Sequence, residues 1–388
     1  MTKPICNVHT HLFNAQYTPD NFIGLIVSFL SRQLTWAFKR RWTAKILIGI
    51  LRLFGERSRI GKYVAFLMVG IKESQHKIFN DLRYNEGYPP GTRFVVLPLN
   101  FEHMGAGKVT VPYTQQLNDL IRVKATVGES LLPFVYIDPR MGTAEENRDF
   151  VKKYIELKGF AGIKLYPSLG YYPFDPCLEL VYQYAADNGI PIMTHCSSTG
   201  IFYNDRNHIP DHFTSPDTFN RQEKDYFTKE DRSYQYQYPP DGVRKSKYLA
   251  KFTDHFLEPV NYTDALEQFP NLKICFAHFG LDNDQHHPAN KLPWHEQIVE
   301  LMRKYDNVFA DISYSLHYKK DRERFVTYMK DERISKRILY GTDFFMTLQE
   351  VKCERELLER TRKSFGEDFY KIARDNMPAY LNSEFYSY

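Results

Sequence analysis

The sequence predicts a single-domain (β/α)₈ barrel, a TIM barrel, that carries two long insertions over residues 1–388. Three observations predict it. Eight short apolar runs bounded by turn residues recur along the chain, and helix-period patterns lie between them. Two segments break this alternation, residues 14–90 and 200–256, and without them 254 residues remain, close to the roughly 250 of an undecorated barrel. Several of the runs close with a histidine or an aspartate, and the carboxyl ends of its strands are where such a barrel carries its chemistry.

The eight expected strands, in order, are Ile5–His11, Phe94–Asn100, Phe134–Asp138, Gly162–Tyr166, Ile190–His195, Lys273–His278, Val308–Ile312 and Ile338–Asp343. Each is read as a short run bounded by turn residues and followed by a helical pattern, the mark of a βα unit. Apolar spacings of three and four predict helices over Glu145–Lys158, Cys177–Asn188, Tyr262–Gln268, His295–Tyr305, Asp321–Lys330 and Leu348–Lys363. Both insertions directly follow a strand, so they rise from the active-site face as candidate lids. Within the first, helical stripes are expected at Phe22, Leu25, Ile26, Phe29 and Leu30, at Ile46, Leu47, Ile50, Leu51 and Phe54, and at Val64, Leu67, Met68 and Ile71. Between Asn21 and Phe79 there are eleven Lys or Arg against two Glu. A helical cap with a solvated basic face explains this excess, and docking on an anionic surface is the alternative. The second insertion contains Tyr234, Tyr236 and Tyr238 in a Pro- and Gly-containing stretch that predicts a loop.

A formal charge of +4 over 388 residues gives no footprint for nucleic acid. Five cysteines without CxxC spacing predict neither a disulfide framework nor a cysteine zinc site, which fits a reducing cytoplasm. The start MTKPICNVHTHLF lacks the pattern of a secretory signal, so the fold is expected to begin there. No run approaches the ~18 apolar residues of a membrane span. The expected partner is a small-molecule substrate, and a homo-oligomer is left open.

His9 and His11 sit two apart in a strand, where alternation puts both side chains on one face. Two neutral imidazoles so placed can bind a divalent cation. Alone an HxH is weak, but PIMTHC ends in the same manner at His195 and ICFAHFG at His278, while ILYGTDF leaves Asp343 at the end of the eighth run. A carboxylate there is costly to bury without a cation or donors around it. Arg140 and Tyr166 lie near other strand ends, where they can meet an anionic substrate or make ordinary loop contacts. Asp311, ending the seventh run, is placed to orient a ligand histidine from behind. His286 and His287 follow the sixth and are expected to face solvent.

These motifs, in this order, resemble the amidohydrolase superfamily, in particular the amidohydrolase-related branch that includes aminocarboxymuconate-semialdehyde decarboxylase-like enzymes and lactonases. The matching elements are His9-Thr10-His11, GIKLYP at 162–167, His195, FPNLKICFAHFG at 269–280, NVFADIS at 307–313, YGTDF at 340–344 and IARDNMPAYL at 372–381. The resemblance covers most of the barrel and neither insertion. It implies that His9, His11, His195 and Asp343 hold a divalent metal, most readily Zn²⁺ with Mn²⁺ as the alternative, and that His278 polarises the substrate or binds a second ion. In some binuclear relatives a lysine placed like Lys164 is carboxylated and bridges two ions; an unmodified Lys164 would instead pair with a substrate carboxylate, and one metal is the reading adopted. The implied activity is hydrolysis of a lactone, ester or amide bond in a small polar molecule. Asp343 would move the proton of the attacking water and His278 would stabilise the oxyanion. Non-oxidative decarboxylation is the alternative within the superfamily, and a non-catalytic binding or membrane-surface barrel the alternative of another class.

Overall fold

The computed structural model describes residues 4–22, 41–52, 59–85, 87–198, 200–204, 253–283 and 292–388. Its eight strands are β1 (Cys6–Thr10), β2 (Arg93–Val96), β3 (Leu131–Tyr136), β4 (Gly162–Leu165), β5 (Ile192–Thr194), β6 (Ile274–Phe276), β7 (Val308–Asp311) and β8 (Ile338–Leu339). They run parallel, each paired with the next in sequence. The Val8 amide donates to the Tyr340 carbonyl at 3.0 Å and the Asp343 amide to the His9 carbonyl at 2.8 Å, which joins the eighth strand region to the first and closes the ring. The (β/α)₈ barrel expected from the pattern is therefore present.

Strand interiors follow the expectation closely, and their carboxyl ends do not. The sixth and eighth runs were expected to stay extended to His278 and Asp343, but these residues have φ of 62° and 63°. A left-handed backbone ends a strand at once, and in a residue other than glycine it is uncommon and costly. The chain thus turns where the chemistry-bearing side chains stand.

Outside the first insertion, the helices that follow the strands include α4 (Tyr113–Val127), α5 (Ala144–Lys158), α6 (Glu179–Asp187), α7 (Thr263–Gln268), α8 (Trp294–Lys304), α9 (Lys319–Tyr328), α10 (Glu332–Ser335) and α11 (Glu354–Phe365). α5 shows why such boundaries are legible: Thr143 and Glu146 form a capping box and Gly159, at φ 67°, stops the helix. α4 was not expected, because its buried face includes Gln116 between Tyr113 and Leu117 and is diluted by polar neighbours. α11 starts at Glu354, not at Leu348; residues 346–349 form a separate 3₁₀ turn.

In the first insertion, α1 (Arg41–Arg52), α2 (Arg59–Gly70) and α3 (Gln75–Asn80) are helical. In α1 Ala44 and Ile48, one turn apart, are buried, and Ile46 of the expected stripe is corrected, being 56% exposed; the side chains of the rest of that stripe lie outside the described ones. In α2 Leu67 is buried, and Val64 and Met68, with Ile71 just beyond the helix, pack against the core. Phe66 of α2 lies 5.2 Å, ring to ring, from Phe345, two residues beyond Asp343. The expected stripe through Leu25, Ile26, Phe29 and Leu30, the tyrosines at 234, 236 and 238, and His286 and His287 lie outside the described residues. Among the described residues no helix is long and apolar enough to cross a membrane.

Candidate metal centre

β1 brings His9 and His11 to one side, as its alternation requires, and the backbone contact between residues 9 and 343 carries Asp343 beside them. Asn7 ties the two chain segments together: its Nδ2 donates to Thr342 Oγ1 at 2.8 Å, and its Oδ1 accepts from the amides of Thr342 and His9, each at 3.2 Å. Gly341 completes the approach, since a Cβ there would stand 2.8 Å from the Cβ of His9.

The protonation of the two histidines follows from their partners. His11 Nδ1 lies 2.7 Å from the Leu97 carbonyl, which can only accept, so Nδ1 carries a proton and the neutral form of the ring has its lone pair on Nε2. His9 Nδ1 lies 2.9 Å from Asp311 Oδ2, with the same consequence. Burial holds His9 neutral against the pull of Asp311, lowering its pKa to about 4. Asp311 in turn is buried, which opposes its ionisation, but His9, His278 and Ser313 outweigh that and keep its carboxyl well below the usual range.

Both Nε2 atoms face Asp343 Oδ1, at 3.1 Å from His11 and 3.6 Å from His9. Burial opposes the charge of Asp343 too, yet His11, His9 and His278 hold its carboxyl below the usual range. Its Oδ1 is buried and, despite the nearness of His11, accepts no well-directed hydrogen bond. A proton on either ring would answer the Asp343 charge in the absence of an ion; with both rings neutral and protonated on Nδ1, the two Nε2 lone pairs and Oδ1 converge as donors to a cation. That orphaned oxygen is the observation by which this donor set fits a divalent metal.

Among the described residues, two groups have metal-ligating atoms within 4.8 Å of one another: His9, His11 and Asp343, and His9, His278 and Asp311. The carboxylate of the second is already spent. Asp311 Oδ1 accepts from the amides of His278 (3.2 Å) and Ser313 (2.8 Å) and from the Ser313 hydroxyl, and Oδ2 faces His9. His195 stands one ring further off, its Nδ1 3.2 Å from His278 Nε2 and its ring stacked 4.0 Å from Tyr166.

Lys164 enters from β4 and is fully buried; its Nζ has no hydrogen-bond partner and lies 5.4 Å from the Tyr166 ring centroid. Burial lowers its pKa to about 8, against the attraction of Asp311 and Asp343. The Tyr166 hydroxyl accepts the Ile201 amide at 3.2 Å. Arg140 is not brought into this group. Its guanidinium donates to both Asp138 oxygens, at 2.8 and 2.6 Å, and to the carbonyls of His103 and Leu169, so it fixes the loop after β3. Sequence reasoning passed over Ser313 and Asn7. The signal for Ser313 is its place two residues after Asp311, on the same face of an extended segment.

Residues 133–376 match the family profile described as amidohydrolase. No curated protein matches the chain in sequence. Among solved structures, an uncharacterized TIM-barrel protein from Bordetella bronchiseptica superposes with a TM-score of 0.53 at 15% identity, covering 97% of each chain. A probable 2-pyrone-4,6-dicarboxylic acid hydrolase from Acinetobacter baumannii, with citric acid bound, gives 0.52 at 9% identity over 98% of this chain and 99% of that one. A variant 5-carboxyvanillate decarboxylase from Novosphingobium aromaticivorans, with bound manganese, gives 0.50 at 11% identity over 95% and 97%.

Proposed function

The chain belongs to the amidohydrolase family, and on that premise we propose that it is a metal-dependent hydrolase cleaving a lactone, ester or amide bond of a small, anionic molecule. The observation that carries this reading is the buried Asp343 oxygen that faces Nε2 of both His9 and His11 without a well-directed hydrogen bond. His9, His11 and Asp343 would hold the ion, with His195 as a fourth ligand. Imidazole nitrogens with one carboxylate suit Zn²⁺, and Mn²⁺ is the alternative. A bound divalent ion at such a site makes water more acidic and polarises a carbonyl.

The chain's own residues supply the rest. Asp343 is the group to take the proton of the attacking water and return it to the leaving atom, since its carboxyl is held ionised. Lys164 offers a buried ammonium without a partner, the natural counter-charge for a substrate carboxylate, and Tyr166 lines the same space. His278 Nδ1 faces the Ser313 hydroxyl and carbonyl, so the oxyanion role expected for His278 would require a proton on its Nε2, the nitrogen that faces His195. The insertion at 14–90 serves as a cap, a reading supported by the packing of Phe66 on Phe345.

The test is turnover of a panel of lactones, esters and amides bearing carboxylates, run in ¹⁸O-water by zinc- or manganese-loaded protein. Hydrolysis places one ¹⁸O in the product. Release of carbon dioxide from carboxylic acids in the panel, without ¹⁸O entering the organic product, would replace this reading with decarboxylation.

A further inference from the structure

Ser313 lies just beyond β7, fully buried, with three polar side chains around its hydroxyl. Its Oγ donates to Asp311 Oδ1, the neighbour that can only accept. The remaining lone pairs of Oγ then face His278 Nδ1 at 2.9 Å and His9 Nδ1 at 3.1 Å. The Ser313 carbonyl, also only an acceptor, lies 3.3 Å from the same nitrogen of His278. A ring nitrogen between two acceptors carries the proton.

A neutral His278 protonated on Nδ1 has a bare lone pair on Nε2, and that atom lies 3.2 Å from His195 Nδ1. The contact is then a hydrogen bond only if His195 donates. A neutral His195 with its proton on Nδ1 keeps its lone pair on Nε2. We propose that Ser313 is a positioning residue that, acting through His278, sets His195 in the tautomer whose Nε2 can bind a cation.

The surrounding structure favours such a relay. His278 and His195 are 3% and 5% exposed, so bulk water does not compete for their nitrogens. The His278 ring is aimed by its backbone: its amide donates to Asp311 Oδ1 at 3.2 Å, its carbonyl accepts from Ser315 Oγ at 3.3 Å, and its φ of 62° turns it out of β6. Stacking within 8° of parallel on Tyr166 holds the plane of His195. Partners behind a ligand histidine commonly fix its tautomer in this way. The cation half of the proposal rests on the metal-site reading above; the tautomer half does not.

The experiment is ¹⁵N spectroscopy of the histidine rings in the full chain after chelation of metal, followed by zinc titration. Wild-type protein should show His278 and His195 both protonated on Nδ1. A His195 protonated on Nε2 with a bare Nδ1 overturns the proposal without any variant. Ser313→Ala should give His195 as a mixture of tautomers and weaken zinc binding by about 10- to 100-fold, and Ser313→Thr, which restores a hydroxyl, should recover both. Ser313→Ala with the wild-type tautomers and affinity would overturn it as well. Wild-type protein with the expected tautomers and no affinity for zinc or manganese would fault the metal reading and leave the tautomer assignment supported.

Discussion

Replacing Asp311 with asparagine should damage the metal site through a proton, more than through the lost charge. Asp311 Oδ1 accepts two backbone amides, from His278 at 3.2 Å and Ser313 at 2.8 Å, and neither can become an acceptor. In Asp311→Asn the carbonyl oxygen must stay on those amides, so the NH₂ group takes the place of Oδ2, now 2.9 Å from His9 Nδ1. His9 Nδ1 must then accept, its proton moves to Nε2, and the nitrogen meant for the cation is blocked. A wrong histidine tautomer forced by an aspartate-to-asparagine change is a known way to disable a site while keeping its shape. Binding a metal would require breaking the new hydrogen bond and leaving a buried donor unsatisfied, about 2–4 kcal/mol together, or roughly 30- to 1000-fold in dissociation constant. The assay is competitive zinc titration against a chelator, alongside Asp311→Ala, which removes the charge but forces neither tautomer. Asparagine should bind more weakly than alanine. Equal or tighter binding by Asp311→Asn would refute the tautomer argument.

Other outcomes follow from single contacts. Arg140→Ala should cost about 3–5 kcal/mol in chemical denaturation, the usual result of stranding one partner of a buried pair, here Asp138, and should leave metal binding unchanged. Burial opposes the ionisation of Asp138, but Arg140 outweighs it and depresses the folded pKa. Its contribution is therefore complete above the ordinary carboxylate range near ~4 and is lost as pH falls through the lower folded value, so the stability gap between wild type and Asp138→Asn should close on acidification. Lys164→Met should raise the melting temperature of metal-free protein, because it removes a buried amine without a partner. The same change should weaken binding of small carboxylates by at least tenfold, as measured by calorimetry; unchanged carboxylate binding would remove Lys164 from the substrate site.

The strands were legible because a parallel barrel strand is buried on both sides, and Ile163, Ile192 and Ile274 are fully buried examples. Their ends were less so, since nothing in an apolar run announces the left-handed turns at His278 and Asp343. The convergence of His9, His11 and Asp343 was readable from alternation and from the adjacency of first and last strands. Where each ring proton sits was not, because Leu97, Asp311 and Ser313 approach from other strands. The setting of Arg140 was not legible for a local reason: a strand-end arginine looks available for substrate, and only the structure shows Asp138, two residues earlier, accepting from its Nε and Nη2. Helix α4 was passed over because a buried glutamine, Gln116, bonds to the amide and carbonyl of Leu99 and so occupies a place a hydrophobic pattern would assign to an apolar residue.

The central claim is that His9, His11 and Asp343 surround a divalent cation. Anomalous diffraction at the zinc and manganese edges, from crystals of protein purified without chelator and supplied with both metals, tests it most directly. The account predicts one strong peak within about 2.0–2.2 Å of His9 Nε2, His11 Nε2 and an Asp343 oxygen, and loss of that peak in His11→Ala. A wild-type crystal with no anomalous peak at this position would contradict it.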